Sequence, residues 1–74
     1  MQESKQDRRV KKTKKILKQA LARLLLEKDL KDITVKELTT IADVNRGTFY
    51  LHYKDVYDLY EQLENETLNE FIYP

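Results

Sequence analysis

The sequence has no cysteine and no tryptophan, and only one glycine, one proline and one histidine among 74 residues. Without cysteine there is no disulfide framework. A lone His52 cannot complete a structural zinc site, which needs four nitrogen or sulfur ligands. So few turn formers exclude a strand-rich domain, whose short strands must be joined by frequent Gly, Pro and Asn turns. No apolar run approaches the roughly 20 residues that span a bilayer. The charged N-terminus is not followed by the apolar stretch of a secretory signal. What remains is a soluble, cytoplasmic, all-α chain forming one small helical bundle. A domain of this size buries only about 60% of the surface its unfolded chain exposes, so efficient helix packing or a partner must supply its stability.

Charge is present in quantity but unevenly placed. The net charge of +1 conceals a gradient. Residues 1–20 carry eight Lys/Arg against Glu3 and Asp7, residues 21–54 are nearly balanced, and residues 55–74 carry six acids and no base. One end of the sequence suits a polyanion and the other repels it. A basic arm can also be merely solvated, so charge alone does not choose a partner.

Residues 1–10 are polar and without apolar period, and read as a basic, flexible arm. From about residue 11, Ile16, Leu17, Ala20, Leu21, Leu24 and Leu25 recur at three- and four-residue steps, the stripe of an amphipathic helix ending near Glu27 or Lys28. Thr34 and Glu37 have the spacing of a capping box, flanked by Ile33 and Leu38 as a hydrophobic staple. They predict a second, short helix with Val35, Leu38, Ile41 and Ala42 facing the core. Asp43 and Val44 form a turn, and Asn45 is a good N-cap for a third helix over Arg46 to His52. Gly47 in its first turn costs about 1 kcal/mol relative to Ala, which suggests that something approaches the backbone closely there. Asp55 can cap a fourth helix from Val56 to about Ile72, with Leu59, Tyr60, Leu63, Thr67, Phe71 and Ile72 as its buried stripe. The organisation expected is an arm (1–10), a helix-turn-helix domain (11–54) and a fourth helix (55–74).

Two short helices joined by a tight turn are the helix-turn-helix arrangement. Its first helix crosses the DNA backbone and its second lies in the major groove with N-terminal residues against base edges. That task needs a polar first turn, supplied here by Asn45, Arg46, Gly47 and Thr48, and an anchored back face, supplied by Phe49 and Tyr53. The stretch from Ala42 to Asp55 (ADVNRGTFYLHYKD) closely resembles the DNA-binding domain of TetR-family bacterial repressors, and with its upstream context the resemblance runs from about Lys15 to Leu63. It implies that Asn45, Arg46 and Thr48 face base edges or nearby phosphates, and that Gly47 admits the sugar-phosphate backbone. It also implies that Tyr50, His52 and Lys54 hold phosphates, and that Thr34 and Lys36 touch the backbone from the second helix.

The sequence departs from that family's pattern at three places. Asp43 stands where a turn glycine is usual, but Asp tolerates the left-handed conformation better than most residues. Val56 stands where a phosphate-contacting Lys is usual. The C-terminal domain through which such regulators dimerise and bind an effector does not follow, so the chain looks like a reading head cut from a longer protein. Regulators of this kind act as homodimers on palindromic double-stranded operators. The effector would bind outside this chain.

The lysine face of the first helix (Lys11, Lys12, Lys14, Lys15, Lys18) either reaches phosphates flanking the site or is solvated. Tyr57, Tyr60 and Tyr73 on the acidic fourth helix suggest partial burial. They motivate a second reading, a protein-interaction module that uses that helix. No cofactor or metal is indicated. Nor is an enzyme, since His52 has no nucleophile beside it and the fold is too small to enclose a pocket.

Overall fold

The first helix is held by the stripe that predicts it. In the structure, a computed structural model describing residues 5–72 (side chains for 8–65), α1 spans Lys5–Leu25. Leu17, Ala20, Leu21 and Leu24 lie buried along one of its faces. The helix starts inside the segment read as an arm. Residues 5–10 contain Lys, Gln and Arg, all good helix formers, and no Gly or Pro. A helix nucleated by a packed stripe extends through such residues without needing apolar period of its own. After Leu25 the chain turns, with the amides of Glu27 and Lys28 both bonding the Leu24 carbonyl at 2.9 and 3.0 Å. A single 3-10 turn, Leu30–Asp32, then leads to α2 (Val35–Ala42), α3 (Arg46–His52) and α4 (Val56–Ile72). No strand occurs among the described residues.

α1 packs against both α2 and α4, and α2 packs against α3. The core gathers the α1 stripe with Ile33, Leu38, Phe49, Tyr53, Val56 and Leu59. Phe49, Leu17, Leu21, Leu38 and Leu59 are its largest fully buried side chains. Val56, where the family resemblance has Lys, is buried as well. It gives the first turn of α4 an apolar anchor in place of a charge.

Two expectations need correction. Ile41 is 44% exposed, not a core residue. At about 100° per residue, Leu38, Ala42, Val35 and Thr39 fall within one quadrant-wide stripe, and Ile41 lies off its flank. Thr39 is buried instead. Its hydroxyl donates to the carbonyls of Val35 (2.8 Å) and Lys36 (3.2 Å), so the burial leaves no polar atom unpaired. Tyr57 is exposed rather than partly buried, while Tyr60 is half-buried as expected. The side chains of Thr67, Phe71 and Ile72, and all of Tyr73, lie outside the described residues. Among the described residues no helix is long and apolar enough to cross a membrane.

Candidate nucleic-acid interface

α2 begins as the sequence predicts. The Thr34 hydroxyl accepts from the Glu37 amide at 3.1 Å, and the Glu37 carboxylate accepts from the Thr34 amide at 3.3 Å, closing the capping box. Glu37 is engaged further by the Lys28 ammonium, which bonds it across the connection between α1 and α2. That hydrogen bond holds the Glu37 carboxyl below the usual carboxylate range, with the Thr34 bonds helping. It also raises the Lys28 amine above its ordinary value, aided by Asp32 and Glu27 nearby. Lys36 in the same first turn is exposed.

The turn between the two helices is short. Asp43 takes a left-handed conformation (φ 56°, ψ 48°), the one positive φ among the described non-glycine residues. It lets the Val44 amide reach back to the Thr39 carbonyl at 2.9 Å, the six-to-one bond of a Schellman closure. The Asp at a glycine-favoured position is thus accommodated, as its short polar side chain allows.

Asn45 caps α3 through a 2.7 Å bond from the Gly47 amide to its side-chain oxygen. Gly47 is helical and its φ is not positive. A Cβ there would meet only that cap oxygen, at 3.1 Å, so it would crowd the cap slightly and otherwise project into open space. Phe49 on α3 and Tyr53, the extended residue that closes it, form the inward anchor, their rings 5.7 Å apart and both buried. The remaining residues fall into three outward ridges of residues four apart. Arg46 and Tyr50 share one flank, Thr48 and His52 the other, and Gly47 and Leu51 lie between them, farthest from the core.

Arg46 and Gly47 are exposed, Tyr50 is about half exposed, and Thr48 and His52 are half-buried. The Tyr50 ring meets Phe49 edge-on at 5.3 Å, and the His52 ring lies 6.3 Å from that of Tyr53. Both are therefore propped by the aromatic anchor beside them. Lys54 follows immediately and is exposed. Its amide donates to Asp58 at 2.9 Å, while the Asp58 amide donates to Asp55 at 2.8 Å, fixing the start of α4.

The structure thus collects Arg46, Gly47, Thr48, Tyr50 and His52 on one seven-residue helix, with Asn45 as its cap and Lys54 just beyond it. Thr34 and Lys36 stand apart on the first turn of α2. Lys11, Lys14, Lys15 and Lys18 line a groove of about 470 Å³ that Leu63 of α4 also lines. Three features escaped the sequence reading. The Lys28–Glu37 pair joins residues nine apart, a spacing no helix rule covers. The bond from Asp58 back to Lys54 adds a second tie to the expected Asp55 cap. Leu51, 80% exposed, was findable by counting four residues from Gly47.

This geometry is matched by a sequence likeness. The chain is 40% identical over 47 residues to the "Uncharacterized HTH-type transcriptional regulator YxbF" of Bacillus subtilis (strain 168). The match covers 64% of this chain and 12% of that protein, so the chain spans about an eighth of the length of the curated relative it matches. No family profile and no solved structure matches the chain.

Proposed function

We propose that this chain is the double-stranded-DNA-binding head of a TetR-like transcriptional regulator, acting as a repressor, with α3 docked in the major groove. The observation that carries this reading is α3 itself. It is a short helix anchored by Phe49 and Tyr53, and it turns Arg46, Thr48, Tyr50 and His52 away from the core with no acidic residue in its first turn. Arg46 and Thr48 read bases, with Asn45 at the helix start. Arg is the residue best suited to a bidentate contact with guanine. Gly47 admits the sugar-phosphate backbone. Tyr50 and His52, on opposite flanks of α3, hold phosphates together with Lys54, and Thr34 and Lys36 hold phosphates from the start of α2. The likeness to a protein named as a helix-turn-helix transcriptional regulator supports the same reading.

In the whole protein such heads work in pairs, as a homodimer on a palindromic operator in the cytoplasm, with the effector bound outside this chain. A second reading, a protein-interaction module, draws on exposed Tyr57 beside the acids of α4. Titrating duplex DNA at increasing salt tests the first. Affinity should fall with a log–log slope of about −0.9 per neutralised phosphate, and paired replacement of Tyr50 and His52 should weaken binding. Binding that ignores salt, or that survives the paired replacement, would leave the second reading standing.

A further inference from the structure

The outermost ridge of α3 is apolar, and of its two residues Leu51 takes part in none of the contacts expected of this helix. Leu51 is 80% exposed. It lies roughly 160° around the helix from Phe49, at about 100° per residue, and directly below Gly47. In a helix laid lengthwise in the major groove, the ridge farthest from the protein core faces into the groove, where base edges lie between the two phosphate backbones. At Gly47 that ridge has no side chain, and the space outside it is open apart from the cap oxygen. Leu51 is then the side chain that projects farthest into the groove.

A leucine offers no hydrogen bond. Against the hydrogen-bonding edge of a G·C pair it would strip water and return nothing. The one apolar feature in the major groove is the C5-methyl group of thymine. We infer that Leu51 is a specificity-determining residue that packs on a thymine methyl group, with Arg46 and Thr48 reading neighbouring base pairs from the flanks. The inference rests on the proposed docking of α3, and it concerns one base position within that site.

The test is a cycle. A preferred duplex is selected from a random pool with the unaltered protein. Each thymine in it is then replaced in turn by deoxyuridine, which differs only in lacking the methyl group. One replacement should weaken binding about fourfold, the value of one buried methyl group. In Leu51→Ala that dependence should vanish, and in Leu51→Met it should persist. Leu51→Ala should match the unaltered protein in helicity and melting, because the side chain is exposed. If the unaltered protein selects no duplex, both the docking and the inference fall. If it binds but no thymine shows methyl dependence, or Leu51→Ala keeps it in full, the inference falls alone.

Discussion

α2 and α3 are nearly equal in length, eight and seven residues, and both begin with a polar cap, yet only α2 has an acid in its first turn. α2 closes on itself. Its capping box brings a carboxylate to the helix N-terminus, and Lys28 ties that carboxylate to the preceding connection. α3 has only the neutral Asn45 cap, no acid in its first turn, and Arg46 as its first residue. A carboxylate beside a helix N-terminus stabilises the helix, but it also repels a phosphate backbone, a repulsion that Lys28 and Lys36 offset at α2. α2 takes the stability, and α3 forgoes it at the end that the proposed docking turns toward base edges. The difference separates a helix closed at its N-terminus from one left open there.

The largest effects should come from what the two helices share, their anchors. Phe49→Ala empties a fully buried site and should cost about 3–5 kcal/mol, and Leu38→Ala about 2–5 kcal/mol. For a domain of this size, with a total stability on the order of 4–11 kcal/mol, either loss should be plain in a urea melt followed by circular dichroism. If Phe49→Ala unfolds the chain no more than an exposed substitution does, α3 is not held as described.

Arg46→Ala should break the symmetry. Stability should move by no more than about 0.5 kcal/mol, as for other exposed sites, while discrimination between the preferred duplex and one altered at a guanine should fall by roughly 1–3 kcal/mol. The complementary change is Thr48→Glu, which gives α3 the capping box that α2 already has. Thermal melts should show a gain of roughly 0.3–1 kcal/mol, and DNA titration a loss of affinity. A variant that gains in both would show that the open first turn of α3 serves no electrostatic purpose.

The caps and anchors were legible in the sequence because they obey local rules. Thr34 with Glu37, Asn45, Asp55 and the α1 stripe all act within four residues of themselves. Ile41 was misjudged because eight residues hold barely two turns, and the apolar letters then do not show which side is the centre of the face. Thr39 took the buried place, since a hydroxyl that bonds its own helix's carbonyls behaves almost as an apolar group. The start of α1 was unreadable for another reason: propagation of a helix through Lys, Gln and Arg leaves no periodic mark. Relations between elements were beyond local rules. The basic and acidic ends of the sequence separate along the chain, yet α1 and α4 pack side by side. The charge gradient in the sequence is therefore not a gradient of the same length in space.

The turn between the helices gives a smaller effect. Asp43 sits at φ 56°, where glycine has no steric cost. Asp43→Gly should therefore leave stability unchanged or raise it by up to about 1 kcal/mol, whereas Asp43→Val should lower it by at least about 1 kcal/mol. Melting curves of the pair decide this. Equal effects would mean that the left-handed turn does not persist in solution.

The smallest effect should be the Lys28–Glu37 pair, which is partly exposed and therefore screened by solvent. Its signature is a pH dependence. Glu37 is held below its ordinary value in the folded chain, so the unfolded chain binds a proton first as pH falls. The stabilisation is complete above the unfolded carboxylate range and is lost as pH drops through the lowered folded value. Lys28 is raised, so its share is present below the ordinary lysine range and is lost only as pH climbs through the folded value. Glu37→Gln separates pair from cap, because glutamine can still complete a capping box but cannot take the charge. Its melting temperature should match that of the parent chain at low pH and fall slightly below it at neutral pH. A deficit that does not change with pH would assign the effect to the cap. α2 would then be closed by hydrogen bonds alone, and its electrostatic contrast with α3 would rest on the carboxylate's position rather than on its partner.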